Sequence, residues 1–66
     1  MTKQEALQAM KDVKKVFHEY YTSDEYLWMN ENGHIFTEEN YDMGTERSEF
    51  WVFIQKWVDG WFLYER

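Results

Sequence analysis

Fourteen aromatic rings (four Trp, five Tyr and five Phe) are spread through 66 residues, and they constrain the fold more than any other feature of the chain. Large rings dominate any core they enter, and those left outside form an apolar surface. A domain of this length buries only about 60% of the surface its unfolded chain exposes. Two helices and one hairpin cannot easily enclose so many rings. The chain has no cysteine, which excludes disulfides and thiolate metal sites and argues against secretion.

The start of the chain reads as an amphipathic helix over residues 2–22. Thr2 and Glu5 have the T-x-x-E spacing of a capping box, in which hydroxyl and carboxylate each accept the other residue's backbone N–H. Ala6, Met10, Val13, Phe17 and Tyr20 then recur at helical spacing, with Leu7, Val16 and Tyr21 at the edges of the stripe. Lys11, Lys14, Lys15 and His18 fall on or near the opposite face.

Thr22 to Asp24 break that pattern. Two short apolar runs follow, Tyr26–Met29 and Ile35–Thr37, separated by Asn30-Glu31-Asn32-Gly33. Asn-Gly tolerates positive φ, so this segment reads as a β-hairpin. A three-residue loop with Gly33 as a bulge would pair Met29 with Ile35 and Trp28 with Phe36. A two-residue turn would instead pair Met29 with Phe36. The first is preferred, because alternation then puts Leu27, Met29, Ile35 and Thr37 on an aliphatic face. Tyr26, Trp28 and Phe36 fall on the other face, which needs a cover.

Beyond a polar stretch, Thr45 suits an N-cap, and Glu46 and Glu49 suit the positive end of a helix. Phe50, Phe53, Ile54, Trp57, Val58, Trp61 and Phe62 match a helical stripe. The alternative is a break at Gly60 with residues 61–64 extended. The expected fold is therefore α+β, with helix, β-hairpin and C-terminal helix in a single domain spanning 1–66. The expected core is Met10, Val13, Phe17, Leu27, Met29, Ile35, Phe53, Ile54 and Trp57.

The net charge is −6, and it is unevenly placed. Residues 1–16 carry +2 and residues 17–50 carry −8, while 51–66 balance. Aromatic stacking on bases works beside a basic groove, so direct nucleic-acid binding is not expected. The same balance argues against an anionic membrane, and no apolar run reaches the ~18 residues of a membrane span. The N-terminus lacks a signal-peptide pattern, so a cytoplasmic setting is expected.

Little in the sequence points to catalysis. No serine sits in a nucleophile elbow, and His18-Glu19 lacks the second histidine of H-E-x-x-H. His18 and His34 read as surface or hydrogen-bonded side chains rather than ligands. Asn30, Asn32, Gly33, Ile35 and Glu39 match several positions of a calcium loop, but Trp28 stands where its first Asp belongs. No metal or cofactor is expected.

The remaining signal is acid and aromatic on one segment. The chain is expected to be a non-enzymatic binding protein that occupies a basic surface of a partner, such as a nucleic-acid-binding enzyme. Its composition is of the kind seen in phage-encoded inhibitors that mimic DNA, although no family motif is present. The candidate contacts are Asp24, Glu25, Glu31, Glu38, Glu39, Asp42, Glu46 and Glu49, with Tyr26, Trp28 and Phe36 as anchors. The alternative is a structural or regulatory module whose aromatic face forms a homodimer. A third reading is an aromatic groove for a Pro-rich or cationic peptide.

Overall fold

The computed structural model describes residues 1–54 and 57–65. Its elements run α1 (Lys3–Lys11), β1 (Val16–His18), β2 (Leu27–Met29), β3 (Ile35–Thr37), α2 (Glu49–Phe53) and β4 (Trp61–Leu63). The fold is α+β, with an antiparallel four-stranded sheet in the order β3-β2-β1-β4. Among the described residues no helix is long and apolar enough to cross a membrane.

Helix α1 opens on the expected capping box. Glu5 N–H donates to Thr2 Oγ1 at 3.1 Å, and Thr2 N–H donates to Glu5 Oε1 at 2.8 Å. The helix ends at Lys11, however, not at residue 22. Val13 N–H donates to Met10 O and Lys14 N–H to Ala9 O, which is the Schellman arrangement. That motif requires a left-handed residue, and Val13 supplies it at φ 66°. From Val13 to Thr22 the chain is rich in β-branched and aromatic residues, which are weak helix formers and fit a pleated sheet. Spacings of three and four carried the apparent stripe across a real boundary.

The hairpin has the preferred register, with Met29 opposite Ile35, Trp28 opposite Phe36 and Leu27 opposite Thr37. Asn30 N–H donates to His34 O, closing a three-residue loop in which Gly33 has φ 81°. Asn30 Oδ1 accepts the N–H groups of Asn32 and His34, so the carboxamide shapes the hairpin loop. The Asn30–Gly33 segment is thus a hairpin connection, the reading that competed with a calcium loop. Residues 41–44 continue the sheet outside β3, with Met43 N–H donating to Ile35 O at 2.7 Å.

The C-terminal stripe divides. Thr45 heads a turn, and the N-cap of α2 is Ser48. Among the described residues after Ser48, five (Glu49–Phe53) are α-helical before the chain reaches Gly60, whose φ is 92°. After it, β4 pairs with β1, Phe17 lying opposite Phe62 and His18 opposite Trp61. The break at Gly60 is therefore the correct alternative. Gln55 and Lys56, also assigned to that helix, lie outside the described residues.

One core cluster lies between α1, the inner sheet face and α2. It comprises Ala6, Leu7, Ala9, Met10, Val16, Leu27, Ile35, Trp51, Ile54 and Trp61. Of the expected core, Met10, Leu27, Ile35 and Ile54 are buried, and Met29 and Trp57 pack at the margin. Phe17 is half-buried on the far side of the sheet. Val13 and Phe53 are 90% and 77% exposed. Both were assigned inward by a helical periodicity that fails at Val13 and shortens at Phe53. Lys3 N–H donates to Val58 O, and Trp61 N–H donates to Met1 O, which fastens the beginning of the chain to the β4 edge.

Candidate functional site

Strand alternation decides which side chains meet α1 and which do not. Val16, His18, Leu27, Ile35 and Trp61 point inward and are buried. The residues between them point outward, which places Phe17, Tyr26, Trp28, Phe36, Phe62 and Tyr64 on the opposite face. No described helix lies over that face. Trp28 stacks on Phe36 with centroids 4.8 Å apart, and Phe17 on Phe62 at 5.5 Å. Tyr64 meets Phe17 edge-on at 6.0 Å and Tyr26 at 4.7 Å. Each ring thus hides part of its neighbour, yet Phe62 stays 48% exposed.

The three aromatic anchors expected from the sequence therefore share one surface. Phe17, Phe62 and Tyr64 belong to it as well: a helical reading of the sequence puts Phe17 in the core, and only the alternative break at Gly60 makes the segment of Phe62 and Tyr64 extended. Lys15 stands on the same face with Nζ 4.6 Å from the centre of the Tyr26 ring, within cation–π range. Lys15 and Tyr64 are cross-strand neighbours, since Tyr64 N–H donates to Lys15 O. Glu19 and Gly60 are neighbours at the other end of these strands, since Glu19 N–H donates to Gly60 O.

That second end is acidic. The registers put Glu19 and Asp59 beside the β1–β2 connection, which carries Asp24 and Glu25, and beside Glu38 and Glu39 after β3. None of residues 19–25, 38–40 or 57–60 is basic. Tyr21 records this field: its phenol is pushed up to about 12, by burial first and then by Glu25 and Glu38. Tyr20, next to it, is 71% exposed.

The eight candidate acids therefore do not form one patch. Asp24, Glu25, Glu38 and Glu39 gather at the acidic end, with Glu19 and Asp59 as additions. Glu31 lies in the hairpin loop, at the opposite end of β2 and β3. Asp42 accepts from His34 Nδ1 at 3.0 Å and from Gly44 N–H at 2.8 Å. The Gly44 bond, then the His34 bond, holds the Asp42 carboxyl below the usual carboxylate range. Glu46 lies 3.5 Å from Lys11, and Glu49 is in the first turn of α2. The Asp59-Gly60 pair was a visible turn signal, but only strand pairing shows what it stands beside.

The one buried polar side chain among the described residues is His18, only 2% exposed. Tyr20 N–H donates to its Nδ1 at 3.2 Å, which leaves Nε2 to donate to Asp59 O at 2.9 Å. Both ring nitrogens thus have hydrogen-bond partners. Among the described residues, no group of three or more His, Cys, Asp or Glu side chains is placed to hold a metal ion. What the surface offers chemically is apolar contact, ring stacking and negative charge. Comparison with protein-family models, with curated proteins and with solved structures gives no match.

Proposed function

We propose that the chain is a non-enzymatic binding protein whose acidic end occupies a basic surface of a partner protein, the kind of surface a nucleic-acid-binding enzyme presents. The observation that carries this reading is the register that brings Glu19, Asp24, Glu25, Glu38, Glu39 and Asp59 to one end of the sheet, in segments (19–25, 38–40 and 57–60) that hold no basic residue. Fields from like charges gathered in this way add, which steers a basic partner and speeds encounter. Tyr20, projecting among them, offers apolar contact beside the charge. An inhibitory role of the phage type, in the cytoplasm where such enzymes work, belongs to the same proposal. Glu31, Asp42, Glu46 and Glu49 drop out of the contact set because they lie elsewhere.

The test is affinity capture from a cell extract at low and high salt, with wild type and a Glu25→Lys/Glu38→Lys/Glu39→Lys variant as baits. The expected result is a basic protein held by wild type at low salt, released by salt and by duplex DNA, and missing from the reversed bait. Equal recovery on both baits overturns the reading.

A further inference from the structure

We infer that the aromatic sheet face is an interface with a second copy of this chain, related to the first by a two-fold axis lying between the sheets and perpendicular to the strands. Residues facing outward form rows across the sheet. Phe36, Trp28, Lys15 and Tyr64 make one row, and Tyr26, Phe17 and Phe62 the next. Glu19 and Gly60 follow on β1 and β4. Along β1 the outward order is therefore Lys15, Phe17, Glu19: a cation, a ring and an anion.

That order selects the axis. A two-fold perpendicular to the strands and passing over Phe17 lays β1 on the partner's β1 in reverse. Lys15 of each copy then faces Glu19 of the other, and the Phe17 and Phe62 rings meet their own counterparts. Tyr64 faces Gly60, which has no side chain to obstruct it. An axis parallel to the strands would set Glu19 against Glu19 at the centre of a desolvated contact, whereas the perpendicular axis brings Glu38, just past β3 at the rim, near its own counterpart where water screens it. Self-complementarity of this sort is what an isologous interface requires.

The size is consistent with such a contact. The two longer extents of the molecule are 25 and 24 Å, so one face can offer at most about 600 Å². Two copies together therefore bury at most about 1,200 Å², at or below the small end of specific interfaces, which implies a weak, reversible dimer. Val13 strengthens the case. Its 90% exposed side chain is held at φ 66°, and it borders a depression of about 480 Å³ shared with Trp28 and Met29. The Schellman motif that ends α1 needs a left-handed residue at this position, but nothing within the fold needs that residue to be an exposed, β-branched valine. At the edge of an interface it has a surface to meet.

Sedimentation equilibrium on the full chain, with no partner present, separates this inference from the binding role proposed above. Wild type should dimerise reversibly at micromolar to high-micromolar concentration. Lys15→Glu and Glu19→Lys should each raise the dimer dissociation constant at least tenfold. Mixing the two variants should restore association to within about threefold of wild type, because each reversed charge then faces its complement. Phe62→Ser, at the most exposed of the six rings, should abolish association while the circular dichroism spectrum stays that of a folded chain and the melt falls only by what the lost Phe17 stack contributes. A wild-type chain that stays monomeric overturns the inference. Two single variants that dimerise like wild type, or a mixture that fails to recover while Phe62→Ser stays folded, overturn the geometry.

Discussion

His18 lies flat against Trp57, with ring centroids 4.3 Å apart and planes 19° from parallel, while its Nε2 holds the Asp59 carbonyl 41 residues away. One side chain thus joins β1 to the approach to β4 by stacking and by hydrogen bonding. His18→Ala removes the stacked ring and leaves the Asp59 carbonyl and the Tyr20 N–H without their partner. The expected loss is about 3 kcal/mol, read from urea denaturation. In a domain of this size that is most of the stability.

Val13→Gly should act in the opposite direction. Glycine accepts φ 66° without the clash a β-branched residue suffers, and the Val13 side chain covers nothing within the chain. A gain of about 1 kcal/mol follows after allowing for the entropy of glycine, raising Tm by roughly 4–8 °C. Val13→Ala keeps the Cβ and should change Tm by much less.

Gly60→Ala should be strongly destabilising. An added Cβ would lie 2.9 Å from His18 Nε2 and 3.0 Å from Glu19 Cδ, at a φ of 92° that L-residues rarely adopt. Strain and displacement of the buried His18 ring together should cost at least about 2 kcal/mol. Thermal melts of the two glycine variants, one gained at residue 13 and one lost at residue 60, should move in opposite directions.

The two faces of the sheet predict different costs for tryptophan truncation. Trp61 is fully buried, and its indole N–H donates to Trp57 O at 2.8 Å, so Trp61→Ala should cost roughly 3–5 kcal/mol and largely unfold the chain. Among the described residues the Trp28 ring stacks on Phe36 alone, at the open face, so Trp28→Ala should cost about 1 kcal/mol. Comparable losses at both positions would contradict the assignment of faces.

Titration should report the acidic end directly. Tyr21 has its pKa raised to about 12 by burial, then by Glu25 and Glu38, so Glu38→Gln should lower it modestly in a phenolate absorbance titration. A folded value above the unfolded one means that the Tyr21 contribution to stability is complete below about pH 10. It is then lost as pH rises through about 12. Glu5 and Asp42 are shifted downward by hydrogen bonds to Thr2 and to Gly44, respectively. Their contribution is present above the unfolded carboxylate value and disappears as pH falls through their own.

What the sequence revealed was local. Thr2 and Glu5 announce their helix because both partners of the cap lie within one turn. Asn32-Gly33 announces its hairpin because the turn fixes register, and alternation then sorts Tyr26, Trp28 and Phe36 onto one face. Phe17 and Phe62 carry no such mark. Each becomes a face residue only because β1 pairs with a strand about 45 residues later, and spacing within either segment imitates a helix. The acidic end was hidden for the same reason. Glu19 and Asp59 are distant in sequence and become neighbours only through the bond of Glu19 N–H to the Gly60 carbonyl.

The placement of β1 also governs the order of assembly. Its inner neighbour β2 and the β2–β3 hairpin need only short loops, which close in microseconds. Its other neighbour, β4, must return across most of the chain before any bond rewards the ordering. Until Leu63 arrives, β1 is an unpaired edge carrying Val16, Phe17 and His18, and Trp61 is missing from the core. Folding should therefore show a hairpin-containing phase that precedes protection of the β1 amides. During synthesis, the chain is most prone to aggregate in the interval before residues 61–63 emerge.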